Sequence, residues 1–207
     1  MIPKVIHYCW FGGGPESEVM QKCLASWPRV LPGYTIKRWD ERNSPMRFPY
    51  LRNAVAHQKW SNMSNLVRLY ALFSEGGIYL DTDVEVIRSF DDLLALPAFL
   101  GCESREPVVN NAVYGSEAGH PFLLQMLFEL TRDFDGLERS CESGPGLTTR
   151  LLSRLGLRAY QDAPQTVADV VIFPVRYFYP FHYEETFTPE CLAPSTCTVH
   201  HWQKTWH

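Results

Sequence analysis

The chain lacks any Cys-x-x-Cys pair; its six cysteines, Cys9, Cys23, Cys102, Cys141, Cys191 and Cys197, are scattered along it. That spacing argues against a structural zinc site or a dense disulfide framework, and leaves a Cys191–Cys197 bridge as the one open pairing. A long hydrophobic run is also missing. The longest mostly apolar stretch, Leu93 to Cys102, is too short to cross a bilayer and contains Pro97. The amino terminus, Met-Ile-Pro-Lys-Val-Ile-His, carries no basic segment followed by an apolar one, so no secretory signal is read. A cytoplasmic protein with reduced thiols is the expectation. Excess basic charge is absent too: 19 Lys and Arg stand against 23 Asp and Glu, a formal net charge of −4. With those basic residues dispersed, no nucleic-acid partner is expected.

What is present suits one folded unit. The 207 residues are 45% apolar and 20% charged, enough to bury a continuous core, with no internal repeat and no low-complexity linker. A single α/β domain over residues 1–207 is expected. Val5 to Trp10 reads as a buried strand that stops at Gly12-Gly13-Gly14-Pro15. Glu16 to Trp27 has helical spacing, and Tyr34 to Trp39 alternates as a second strand. Strand, helix, strand in that order predicts a parallel βαβ unit. Helices are predicted over Tyr50 to Trp60, Ser64 to Glu75, Pro121 to Arg132 and Leu147 to Leu155. Strands are predicted at Ile78 to Leu80, Val84 to Ile87, Ala98 to Cys102, Ala112 to Tyr114 and Val170 to Phe173.

The segment Ser64 to Glu85 carries the most chemistry. Asn65 and Arg68 share one helix face, apart from the apolar stripe. The helix stops at Gly76-Gly77, and a short strand then delivers Asp81 and Asp83. If the chain stays extended there, both carboxylates point to one side of the strand's carboxyl end, where α/β folds bind ligands. Paired carboxylates repel unless a cation or strong donors compensate. Oxygen ligands of this kind suit Mg²⁺ or Mn²⁺ completed by substrate phosphates. An Asp-x-Asp pair alone is also an ordinary exposed turn.

Four motifs in register decide between those alternatives. Ile6–Gly13 (Ile-His-Tyr-Cys-Trp-Phe-Gly-Gly), Ser64–Arg68 (Ser-Asn-Leu-Val-Arg), Gly76–Val86 (Gly-Gly-Ile-Tyr-Leu-Asp-Thr-Asp-Val-Glu-Val) and His200–Trp206 (His-His-Trp-Gln-Lys-Thr-Trp) span nearly the whole chain. Together they resemble the family-32 glycosyltransferases with the Asp-x-Asp sugar motif. That family includes bacterial capsular-polysaccharide enzymes and yeast mannosyltransferases and is distantly similar to clostridial glucosylating toxins. The resemblance implies a GT-A, Rossmann-like fold with a mixed, mostly parallel sheet. It also implies a nucleoside-diphosphate sugar donor, Mn²⁺ or Mg²⁺, and retention of anomeric configuration.

The same resemblance implies roles. Trp10 stacks on the donor base; the lesser alternative for it is a core tryptophan. Arg68 holds the donor sugar or phosphate. Asn65 stands where the family usually has Asp, an uncharged contact to the sugar. Asp81 meets ribose and the metal-bound water, Asp83 ligates the metal, and His201 is its third ligand. Asn111 lines the sugar site, and Thr205 and Trp206 reach the diphosphate. The family usually reads Gly-Ser-Trp there, against Lys204-Thr205-Trp206 here. Glu103, ending a strand, either faces the acceptor or is solvated. Cys9 shows no partner that would activate it.

The expected activity is hexosyl transfer to a glycan or lipid-linked acceptor in surface polysaccharide synthesis, with peripheral contact at the inner face of a membrane. No basic amphipathic helix marks such a contact. The alternatives are a non-catalytic nucleotide-sugar or glycan-binding module of the same fold and, ranked last, a metal-dependent phosphohydrolase that would leave Trp10 and the terminal His-His-Trp unexplained.

Overall fold

The apolar run at the amino terminus becomes β1 (Val5–Cys9), the strand around which a seven-stranded sheet is organised. The computed structural model describes residues 1–203. β1 is followed by α1 (Glu18–Val30) and β2 (Thr35–Trp39), and β1 and β2 pair in parallel as the βαβ order predicts. Ser17 caps α1 by accepting from the Met20 amide. The helix runs past Pro28, where the sequence pattern predicts its end, because the Leu31 amide still closes onto the Trp27 carbonyl at 2.8 Å.

Next come α2 (Pro49–Ala56), α3 (Trp60–Glu75), β3 (Gly77–Leu80) and β4 (Val84–Val86). β5 (Ala98–Cys102), β6 (Val109–Ser116), α4 (Pro121–Asp133), α5 (Leu147–Leu155), β7 (Gln165–Val167), β8 (Val170–Phe173) and β9 (Thr198–His200) complete the order. The sheet runs β2-β1-β3-β6-β5-β8-β7, and β4 and β9 form a separate antiparallel pair. The sheet is mixed: β1 is parallel to β2 and β3, and β5 to β8, whereas β6 is antiparallel to β3 and β5, and β7 to β8. Three-residue β7 and β9 carry too little pattern to be read from sequence, and β6 is longer than expected because its polar Asn110 and Asn111 are buried in the ladder.

Alternate strand residues feed two hydrophobic layers. Tyr79 joins Leu66, Leu69 and Leu72 of α3, Met126 of α4 and Leu151 of α5 on one side. Ile78 and Leu80 join Trp27, Val84, Phe90 and Phe178 on the other. Fully buried Trp27 also donates its indole N–H to the Val84 carbonyl at 2.9 Å, which ties α1 to the strand following the Asp-x-Asp segment. Gly77 is required where α3 turns into β3. Its φ is +117°, and a Cβ there would sit 2.6 Å from the Val5 carbonyl oxygen. All six cysteines are free thiols.

Candidate functional site

β3 ends at Leu80, and the chain then turns rather than continuing extended: the Val84 amide bonds back to the Asp81 carbonyl at 3.0 Å. The turn, not strand alternation, brings the two carboxylates together. Asp81 Oδ1 accepts from the Tyr79 hydroxyl at 2.9 Å and lies 3.1 Å from Arg68 Nη2. Burial pushes the Tyr79 phenol well above its ordinary range, so it stays protonated and able to donate. Arg68 is itself anchored, with Nη1 donating to the Asn111 carbonyl at 2.7 Å, Nε to the Ser64 carbonyl at 3.2 Å, and its guanidinium 4.4 Å from the Tyr79 ring centroid. Burial opposes its charge, but Asp81 beside it holds the guanidinium ionised.

Asp83 is held from the carboxyl-terminal side. Its Oδ2 accepts the Gln203 amide at 2.8 Å, and its Oδ1 lies 3.2 Å from His200 Nε2. The Gln203 side chain in turn accepts from Ser17, the cap of α1, at 2.7 Å. Burial alone would raise the Asp83 pKa; the charge and hydrogen bond of His200 and the Gln203 amide bring it below the ordinary carboxylate value. His200 mirrors this: burial lowers its pKa, and Asp83, with Asp81 and Glu103 beyond, raises it above 6.5.

The imidazole beside Asp83 is therefore that of His200, whereas His201, the third ligand the resemblance implies, meets a different carboxylate. β9 pairs antiparallel with β4, setting His200 opposite Val84. Adjacent strand residues point to opposite faces, so His201 turns to the face of Glu85 and meets its carboxylate at 2.9 Å. Asn65 lines the cavity and is also bonded within the protein. Its amide nitrogen donates to the Ser140 carbonyl at 2.8 Å and to Ser143 Oγ at 3.1 Å, so it ties α3 to the loop before α5. Asn111 donates to Thr148 Oγ1 at 2.8 Å and joins β6 to α5 in the same way. Trp10 follows β1 with its indole N–H fixed on the Gly14 carbonyl at 3.0 Å. Thr205 and Trp206 lie outside the described residues. Burial pushes the Cys9 thiol up to about 12, so it is no nucleophile at neutral pH.

Trp10, Asn65, Arg68, Asp81, Asp83, Asn111 and His200 line one cavity of about 620 Å³, a volume suited to a small-molecule ligand. Trp60, Trp202 and Gln203 also line it, and sequence reasoning passed over them. Trp202 was legible only as part of the terminal His-His-Trp; its φ of +53° and its ring 4.1 Å from that of His200 come from the fold.

Candidate ligand atoms of Asp81, Asp83 and His200 all fall within 4.8 Å of one another. His200 Nδ1 is buried with no hydrogen-bond partner among the described residues. Two carboxylates and one imidazole, compensated by a single buried guanidinium, fit a divalent cation.

The fold is that of the GT-A glycosyltransferases. Residues 17–100 match the family described as "Glycosyltransferase sugar-binding region containing DXD motif". Residues 115–207 match the "Alpha 1,4-glycosyltransferase conserved region". The chain is 32% identical over 141 residues to inositol phosphoceramide mannosyltransferase 3 of Schizosaccharomyces pombe, covering 63% of this chain and 38% of that protein. It is 28% identical over 223 residues to the lactosylceramide 4-alpha-galactosyltransferase of Rattus norvegicus, covering 92% of this chain and 59% of that one. It thus spans between about two fifths and three fifths of these relatives. The solved PaToxG glycosyltransferase shares the fold, with a TM-score of 0.62 at 19% identity over 74% of this chain and 69% of that chain. No helix among the described residues is long and apolar enough to cross a membrane.

Proposed function

We propose that the protein transfers a hexose from a nucleoside-diphosphate sugar to a hydroxyl of a lipid-linked glycoside, with retention of configuration and with Mn²⁺ as the preferred cation. The observation that carries this is the convergence of Asp81, Asp83 and His200 within 4.8 Å at a cavity also lined by Trp10. A divalent cation held by those residues supplies positive charge to the diphosphate oxygens. Trp10, its ring orientation set by Gly14, offers a flat face to the base. Arg68 keeps Asp81 aligned and has N–H groups left for a donor oxygen. The acceptor oxygen bonds to the anomeric carbon as the carbon–phosphate oxygen bond breaks, and the acceptor proton passes to the departing phosphate. No protein nucleophile is assigned. The expected roles of Thr205 and Trp206 at the diphosphate belong to the same proposal.

The acceptor class is drawn from the relatives. The mannosyltransferase named above carries inositol phosphoceramide in its name and the galactosyltransferase lactosylceramide, so a glycolipid is proposed ahead of a capsular polysaccharide. Titration calorimetry with UDP and GDP, with and without Mn²⁺, tests the proposal. One nucleotide is expected to bind in a Mn²⁺-dependent manner, and Asp83→Ala to remove that dependence. Absence of binding by either nucleotide to a folded sample with Mn²⁺ would sink it.

A further inference from the structure

Glu103 follows β5 and lines the same cavity as Asp81, Asp83 and His200, and the proposed chemistry leaves it unused. Its Oε2 accepts from the Asn110 amide at 2.6 Å. That amide cannot flip, because Asn110 Oδ1 is itself occupied by the Ala112 amide at 2.7 Å. The carboxylate is therefore held in one orientation by a neutral donor. Among the described residues it makes no ion pair, and Oε1 has no hydrogen-bond partner. It also stands apart from the three residues whose ligand atoms cluster within 4.8 Å.

A fixed carboxylate with an open oxygen accepts protons and repels anions. A donor diphosphate is an unsuitable neighbour for Oε1, whereas sugar hydroxyls are suitable ones. The remaining occupant of the cavity in the transfer reaction is the acceptor. Tyr183 and Trp202, their ring centroids 6.0 Å apart, line the same cavity.

We propose that Glu103 is the acceptor-recognition carboxylate: its open Oε1 accepts from a hydroxyl of the acceptor sugar and selects neutral glycosides over anionic ones. The inference rests on the transferase assignment. It adds that the acceptor residue is an uncharged, hydroxyl-bearing sugar, and that a uronic acid at this position is rejected.

The test compares wild type, Glu103→Gln, Glu103→Ala and Asp83→Ala, with Mn²⁺ and the donor (UDP-galactose or GDP-mannose) whose hydrolysis the wild type supports. Transfer to methyl β-lactoside is measured beside donor hydrolysis to water, and methyl β-glucuronide serves as the anionic competitor. In both Glu103 variants the ratio of transfer to hydrolysis is expected to fall about ten-fold or more, through a higher acceptor KM, the scale of one charge-assisted hydrogen bond lost. Inhibition by the glucuronide is expected to strengthen in Glu103→Gln. Equal loss of hydrolysis and transfer in both variants, or an unchanged acceptor KM with unchanged discrimination against the glucuronide, overturns the proposal. Persistence of Mn²⁺-dependent hydrolysis in Asp83→Ala would instead overturn the assignment of the cation site.

Discussion

His200 Nε2 lies 3.2 Å from Asp83 Oδ1, while its neighbour His201 reaches Glu85 at 2.9 Å on the opposite face of the strand. This relationship assigns different work to two adjacent histidines. His200→Ala is expected to weaken Mn²⁺-dependent nucleotide binding at least about ten-fold, since even residues that only orient a metal ligand are worth that much. His201→Ala is expected to cost much less. Calorimetric titration of both variants checks this, and a larger effect from His201 would reverse the assignment.

Asn65 donates to both Ser140 and Ser143, so an aspartate would turn a lone pair toward the Ser140 carbonyl. Leaving such a buried group unsatisfied costs about 1–3 kcal/mol, or roughly 2–12 °C in melting temperature for a chain of this size. Asn65→Asp is expected to lower the melting temperature by that amount in a calorimetric scan. A melting temperature equal to wild type would show that the latch contributes nothing.

Gly12 has φ of +78°, and a Cβ there would lie 2.7 Å from Cε2 of Trp60, which lines the cavity. Gly12→Ala is expected to destabilise the fold by about 1–3 kcal/mol through strain and to displace the indole. Tryptophan fluorescence and nucleotide affinity should change together. Unaltered emission with unaltered affinity would contradict the contact.

His7 is buried in a fixed tautomer, its Nδ1 accepting the Trp39 indole N–H at 3.0 Å and its Nε2 donating to the Gly76 carbonyl at 2.8 Å. Burial holds its pKa below 6.5 despite the Gly76 hydrogen bond. Above 6.5 the imidazole is neutral in both folded and unfolded chains. Below it the unfolded chain takes up the proton first, so this group makes stability fall as pH drops, by at most about 1.4 kcal/mol per pH unit until the folded pKa is reached. Urea unfolding between pH 7.5 and 5.5, in wild type and His7→Gln, measures it. A wild-type slope no steeper than that of the variant would refute it.

Much of the fold could be read from local pattern. β1, β2, β5, β8 and the helices from α3 onward have strong periodicity or clear stops, such as Gly76 after α3. The grouping of Arg68, Asp81 and Asp83 was legible because their spacing on a helix, a turn and a short strand is local. What escaped was pairing across long separations: β9 is three residues long, and only its ladder with β4 shows which way His200 faces. The partners of Asn65 escaped for a related reason, since an amide's hydrogen-bond partners depend on which loop folds over it, here the one carrying Ser140 and Ser143.

The amino-acid order alone determined the α/β pattern, the glycine stop and the family motifs, because propensity, periodicity and motif spacing act over neighbouring residues. Tertiary structure decided which histidine meets Asp83, which groups Asn65 and Asn111 satisfy, and that Asn110 holds the Glu103 carboxylate. Those outcomes depend on side-chain direction and burial, which are set only when distant strands pair and a loop closes over the site.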